Sequence, residues 1–195
     1  GGPAEFLAFP KNLPELELLV KSVRQENMQL TVIGNASNLI IKDGGIDGLV
    51  IILTKMNQII ANESDCTISA QAGATIINTS NAARDAGLTG LEFAAGIPGS
   101  VGGAVFMNAG AYDGEMSHVV TAVRAVDFQG NIKEYDASHL DFAYRHSVFH
   151  DNHEVIGEVI MTLKPGDKDA IKARMDELTE KRESKQPLEY ASAGS

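Results

Sequence analysis

Two stretches of small residues are the parts of this sequence best suited to hold a charged ligand. The first, Gly34-Asn35-Ala36-Ser37-Asn38, follows directly on the apolar run Leu30 to Ile33. Small residues let a backbone approach a ligand closely, and successive N–H groups with Ser and Asn side chains can ring a phosphate. The glycine spacing is neither that of a Walker A loop nor that of the dinucleotide fingerprint, so an ordinary strand-to-loop turn remains an alternative. The second is Gly96-Ile97-Pro98-Gly99-Ser100-Val101-Gly102-Gly103-Ala104, running on through Met107-Asn108-Ala109-Gly110-Ala111-Tyr112. Such glycine density is entropically costly unless the backbone lies against something flat or polyanionic. Pro98-Gly99-Ser100 suits a turn that opens a helix, whose N-terminus would attract a diphosphate. Tight helix packing through small residues is the competing explanation.

A third segment, Tyr144-Arg145-His146-Ser147, places an Arg among Phe142, Tyr144, Val148 and Phe149. That setting predicts a partly buried guanidinium, whose fork suits a carboxylate or phosphate; a structural ion pair is as good a reading of this segment alone. His146, His150 and His153 keep neither the helical nor the strand period, so they read as exposed polar side chains and no metal is expected. Cys66 lies in a strand-like stretch and reads as a buried structural thiol. Ser195 has no His or Lys partner at triad spacing, so hydrolase chemistry is not supported.

The elements that must position these residues follow from patterning. Asn12 and Glu15 resemble a capping box ahead of a helical face of Leu16, Leu19, Val20 and Val23. Leu30 to Ile33, Leu39 to Ile41 and Leu49 to Leu53 read as strands, the last as one buried on both faces. A second unit begins near Gln58, with a strand at Cys66 to Ala72 and a helix capped by Thr75 that carries Ile76, Ile77, Ala83 and Ala86. Val119 to Phe128, Gly130 to Tyr135 and Val155 to Leu163 read as strands, with a hairpin turn at Gln129-Gly130-Asn131. After Pro165-Gly166, Ile171, Met175 and Leu178 make an apolar stripe on a charged helix at about 167 to 185. That helix has no packing partner apparent in the sequence, so an exposed, association-prone stripe is expected.

The 195 residues carry 16 basic and 26 acidic side chains, a net charge of −10. Nucleic-acid binding, which needs a basic surface to release counterions, is not expected. The apolar runs are too short to span a bilayer and no signal-peptide pattern opens the chain, so no membrane association is expected. One cysteine excludes an internal disulfide and, with the rest, points to a cytoplasmic chain.

In this order, the segments resemble the UDP-N-acetylenolpyruvoylglucosamine reductase family (MurB), in its shorter class. The resemblance rests on Gly1-Gly2, Gly34 to Ile40, Gly90-Leu91-Glu92-Phe93-Ala94, Gly96 to Ala104, Met107 to Tyr112, Tyr144-Arg145, and Arg182-Glu183-Ser184-Lys185-Gln186-Pro187-Leu188. Each motif is weak alone, but seven in sequence are specific. Ala36, Asp113, Ala95, Ala191 and Ala193 depart from the family's usual Gly, Gly, Cys, Pro and Cys.

The resemblance implies an α+β chain of the vanillyl-alcohol-oxidase type. It would comprise one FAD-binding subdomain at 1–56, a second at 57–165, and at 166–195 the start of a substrate domain that is otherwise absent. It implies FAD held by Gly34, Asn35, Ala36, Ser37 and Asn38, by Gly96, Ile97, Pro98, Gly99, Ser100, Gly102, Gly103 and Ala104, and by Asn108, Ala109 and Gly110. It implies NADPH as hydride donor and a UDP-sugar bearing an enolpyruvyl group as substrate. Arg145 would polarise the substrate carboxylate and Ser195 would protonate C2, with Tyr112, Tyr144 and Lys185 binding substrate. A monomer is implied for the full-length protein, with FAD binding but no turnover for this length of chain. Another FAD oxidoreductase of the same fold, or a non-catalytic flavin module, are the alternatives.

Overall fold

Residues 1–185 are described in the computed structural model. The chain begins with strand β1 (Ala4–Ala8), helix α1 (Leu13–Gln25), and strands β2 (Leu30–Ile33) and β3 (Ile46–Ile52). Asn12 starts α1 because its side-chain oxygen accepts the Glu15 N–H at 2.9 Å, while the Glu15 carboxylate reaches back to the Lys11 N–H at 2.8 Å. Satisfying those end donors fixes where the helix begins. Its buried face is Leu16, Val20 and Val23. The three strands form a parallel sheet in the order β1-β3-β2, so the apolar β3 is central and hydrogen-bonded on both edges.

Strands β4 (Ile59–Asn62) and β5 (Thr67–Gln71) open the second unit, followed by helix α2 (Ile76–Asp85) and the short strand β6 (Leu88–Thr89). Thr75 caps α2 as expected, accepting the Asn78 N–H at 3.2 Å. The face α2 buries is Ile76, Thr79, Ser80 and Ala83; Ile77 is exposed. Next come helix α3 (Val101–Phe106), strands β7 (Gly110–Ala111), β8 (Gly114–Glu115), β9 (Val120–Val126) and β10 (Ile132–Asp136), and helix α4 (Phe149–Asn152). Strands β11 (Val155–Thr162) and β12 (Lys164–Pro165) and helix α5 (Lys168–Glu183) complete the described chain. The larger sheet is antiparallel, in the order β10-β9-β11-β5-β4. The β9–β10 hairpin turns where predicted: the Asp127 carboxylate accepts the N–H groups of Gln129 and Asn131, and Gly130 takes φ +82°.

The two sheets share one core. Leu16 and Val20 of α1, Ile51 of β3 and Leu53 just after it pack in the same cluster as Ile68, Val123 and Val159 of the antiparallel sheet. On its far side, Val101 and Val105 of α3 join the same cluster.

Three sequence expectations are corrected, and β1 was missed. Leu39 to Ile41 is not a strand but part of an exposed loop, with Ile40 87% exposed. Cys66 is half-buried in a turn at φ +53°, not buried in a strand. The stripe of α5 is covered: Ile171, Met175 and Leu178 are each at most 5% exposed and pack on α2 and on the helical turn Glu92–Ala94. Burying such side chains stabilises by about 1.5–3 kcal/mol each, so α5 is anchored and its stripe is unavailable for association. Finally, β1 was not foreseen, because Phe6 and Leu7 are both half-exposed and break the alternation. No helix among the described residues is long and apolar enough to cross a membrane.

Candidate functional site

The two glycine-rich loops meet. A methyl group on Gly34 would run into Ser100 Oγ, and one on Gly99, which holds φ +124°, would lie 2.9 Å from Ser37 Oγ. Glycine at these two positions is therefore what lets a loop from the parallel sheet touch a loop from the antiparallel unit. The backbone N–H groups of Asn35 through Ile41, and those of Gly99 and Ser100, donate to no backbone or side-chain group among the described residues. Backbone donors need partners, and a run of them on adjoining small-residue loops suits the oxygens of a diphosphate. Ala36 takes φ +53°, the left-handed conformation that favours the glycine it replaces in the resembling family.

Behind that junction the second loop differs from expectation. Helix α3 does open after Pro98-Gly99-Ser100, but its first donors are already used. The Val101 and Gly102 N–H groups bond the Ala74 and Ala72 carbonyls at 2.8 Å, and the Gly103 N–H bonds its own cap, Ser100 Oγ, at 3.3 Å. The first N–H groups of the helix are therefore satisfied within the protein, and the open donors lie just ahead of it, at Gly99 and Ser100. A methyl on Gly102 would meet Ala72 Cβ at 2.8 Å, and Ala104 is buried in the core. For these two, tight packing through small residues is the better account. Ile97 is half-buried and Pro98 exposed on the rim.

A separate cavity of about 420 Å³ is lined by Asn108, Gly110 to Glu115, His118, Tyr144 and Arg145. Two tight turns form its walls. Strands β7 and β8 are joined by Tyr112-Asp113, at φ +50° and +65°, which is the signature of a type I′ hairpin. Opposite, Ala143 and His146 exchange both backbone hydrogen bonds (3.2 and 3.1 Å), so Tyr144-Arg145 forms the tip of a second turn with Arg145 at φ +56°. Non-glycine residues held at positive φ on both walls indicate strain stored at the site.

One side chain ties the walls together. Asn108, 3% exposed, donates through Nδ2 to the Glu115 carboxylate (3.2 Å) and to the Ala143 carbonyl (3.1 Å), and accepts the Ser117 N–H at 3.0 Å. Its amide is fully engaged within the protein, which makes it a positioning group. Ala109 is half-buried beside it, its N–H bonded to the Ala104 carbonyl at 2.7 Å.

Arg145 is exposed, not partly buried as predicted, because it stands at the tip of the turn closed by Ala143 and His146. Its guanidinium lies 5.4 Å from the centre of the Tyr144 ring and has no carboxylate within ion-pair distance among the described residues. Sequence reasoning missed Glu115. Its pKa lies below the ordinary value, chiefly through the hydrogen bond from Ser117, then that from the Asn108 amide, with His118 and Arg145 adding positive charge. The cavity thus sets a fixed anion and a cation with no partner carboxylate against one another. No local pattern marked Glu115, because its role rests on hydrogen bonds from Asn108 and Ser117 that the fold brings to it.

Lys185 is exposed one residue past the Ser184 cap of α5, and its N–H bonds the Arg182 carbonyl. The Arg182 Cδ lies 3.0 Å from where a Gly96 side chain would start, so the end of α5 abuts the second loop. Ser195, predicted as a proton donor, lies outside the described residues.

Over its whole length the chain is 60% identical to the UDP-N-acetylenolpyruvoylglucosamine reductase of Lactobacillus johnsonii and 56% identical to that of Lactiplantibacillus plantarum. It spans 65% and 64% of those proteins. Among solved structures, the MurB reductase of Thermus caldophilus superposes on 94% of this chain and 64% of its own, with a TM-score of 0.79 and 34% identity. Wild-type Phl p 4.0202, a glucose dehydrogenase, matches with a TM-score of 0.63 over 86% of this chain and 36% of its own; at 16% identity it shares the fold alone. Residues 4–136, which contain both glycine loops and the β7–β8 wall of the cavity, match the FAD-binding domain, and the chain belongs to that family.

Proposed function

We propose that this chain carries the flavin site of an enzyme that reduces UDP-N-acetylglucosamine enolpyruvate to UDP-N-acetylmuramate, a step in peptidoglycan synthesis. The observation that carries the flavin half of this reading is the row of unpartnered N–H groups where the two loops touch. The 60% identity to a reductase of that name supports the substrate half. FAD, when bound, supplies two-electron hydride transfer from NADPH to C3 of the enolpyruvyl group.

The chain's own residues do the rest. The backbone of Asn35 to Asn38, with Gly99 and Ser100, holds the diphosphate, and Gly96 to Pro98 and Gly110 line the cofactor. Arg145, raised on its turn, pairs with the substrate carboxylate and stabilises negative charge that builds there during hydride addition. Tyr112 and Tyr144 flank the same cavity and contact substrate. Lys185, at the end of α5, binds the UDP-sugar. Ser195 delivers the proton to C2.

Units at 1–56 and 57–165 are supported by the two sheets, and 166–195 is the start of the substrate domain. The enzyme acts as a cytoplasmic monomer.

Equilibration with FAD, desalting and a visible absorbance spectrum test the reading. We expect a flavin band that survives desalting and is lost in Gly99→Glu, which places a charge against the diphosphate. A folded but colourless chain, with the longer protein also colourless, would remove the assignment of the loops. A coloured longer protein that fails to oxidise NADPH with the enolpyruvyl substrate would leave a flavin protein of another specificity.

A further inference from the structure

Sequence spacing argues against a metal at His146, His150 and His153, and those three do not converge. The fold builds a different set around one of them. Asp141, from the segment before the Tyr144-Arg145 turn, His146, from just after it, and Asp151, on α4, place one ligand atom each within 4.8 Å of one another. His146 Nε2 stands 3.7 Å from Asp141 Oδ2 and 3.4 Å from Asp151 Oδ2.

Both separations exceed the usual hydrogen-bond length of about 2.7–3.2 Å. They are close to the edge of a coordination tetrahedron, about 3.4 Å for metal–ligand bonds of ~2.1 Å. The imidazole is also pre-aimed. Its ring stacks on His150 at 5.1 Å, and His150 lies tilted against Phe106, with ring centres 3.9 Å apart, while its Nδ1 engages Ser147. Half-buried between these groups, His146 has its Nε2 directed at the two exposed carboxylates. Two carboxylates and a neutral imidazole balance a doubly charged cation and leave coordination positions for water.

We infer that Asp141, His146 and Asp151 form a binding site for a divalent ion of the zinc class. One imidazole nitrogen with two carboxylate oxygens selects such an ion over magnesium, which takes oxygen donors and keeps its waters. The three ligands come from both flanks of the Tyr144-Arg145 turn and from α4. An ion there braces the turn that presents Arg145, without touching the cavity itself.

Titration of the full chain with Co2+, followed by its visible ligand-field absorption, tests the site. One Co2+ per chain is expected, displaced by stoichiometric Zn2+. Asp151→Asn, a change on the surface of α4, should weaken binding at least about tenfold. His146→Ala should abolish it, with circular dichroism confirming the fold. His139→Ala, which removes the separate His139–Asp136 pair, should leave the titration unchanged. No ligand-field band, equal affinity in Asp151→Asn, or displacement by Mg2+ as effective as by Zn2+ would overturn the assignment. In the first two cases the cluster is an imidazole beside two carboxylates and no more.

Discussion

The two glycine loops look alike in sequence and behave differently in the fold. The first, Gly34 to Ile41, leaves a parallel strand and turns through solvent with a run of seven N–H groups, Asn35 to Ile41, unpartnered among the described residues. The second, Gly96 to Ala104, is pressed into the antiparallel unit. Its helix donors are bonded to Ala72, Ala74 and Ser100, and Gly102 serves contact with Ala72. Gly99 and Ser100 keep open donors where the loops touch, and Gly96 keeps one more among the described residues. Glycine content alone does not distinguish a loop that offers its backbone to a ligand from one that offers it to its own core. The destination of each N–H does.

The comparison predicts different failures for the two loops. Gly102→Val forces a branched side chain against Ala72 and breaks a 2.8 Å backbone bond; overpacking of this kind costs about 1–3 kcal/mol. Chemical denaturation should show that loss, with flavin released only because the fold is weakened. Ser37→Asp puts a charge among the open donors of the exposed loop. Flavin affinity should fall about tenfold, or ~1.4 kcal/mol, with the unfolding midpoint unchanged; an equal loss of stability would mean that the first loop is structural too. Ala36→Gly is smaller still. It removes about 1–2 kcal/mol of left-handed strain but adds unfolded-state entropy, for a net gain of roughly 0.5 kcal/mol. Thermal unfolding of the apoprotein measures it, and no gain would show that the strain is relieved elsewhere.

Downstream of the second loop the effect is one of pH. The Glu115 pKa is depressed from 4.5 in the folded chain, so its contribution is fully present above that value and is lost as pH falls through the lower folded-state pKa. Acid unfolding of Glu115→Gln should lack this part of the acid limb. An unchanged acid limb would mean that the Ser117 and Asn108 bonds form equally in the unfolded state.

Much of the frame was legible because caps and turns are local. Asn12, Thr75 and the Gln129-Gly130-Asn131 turn name their own positions, and β3, β9 and β11 declare themselves by apolar runs. What escaped depended on partners distant in sequence. The stripe of α5 read as unpartnered because α2, which covers it, lies about 90 residues earlier and was itself read only for its own core face. Arg145 read as partly buried because of its aromatic neighbours in sequence, whereas a backbone exchange between Ala143 and His146 places it at an exposed turn tip. Leu39 to Ile41 read as a strand from composition, yet no strand among the described residues pairs with it and it remains in the exposed loop. Half of the residues that line the cavity were named as site residues from sequence. Glu115 was not, since its significance rests on bonds from Asn108 and Ser117 that only the fold supplies.

Asn108 has a further consequence for motion. A single amide joins the β7–β8 wall, the backbone before the Tyr144-Arg145 tip and the Ser117 N–H, so none of the three can swing away without stranding its buried polar atoms. Hydrogen exchange would therefore see the mouth of the cavity as one cooperative unit, with the amides of Ser117 and His146 becoming labile in a shared opening event. Access to the cavity is then all or none.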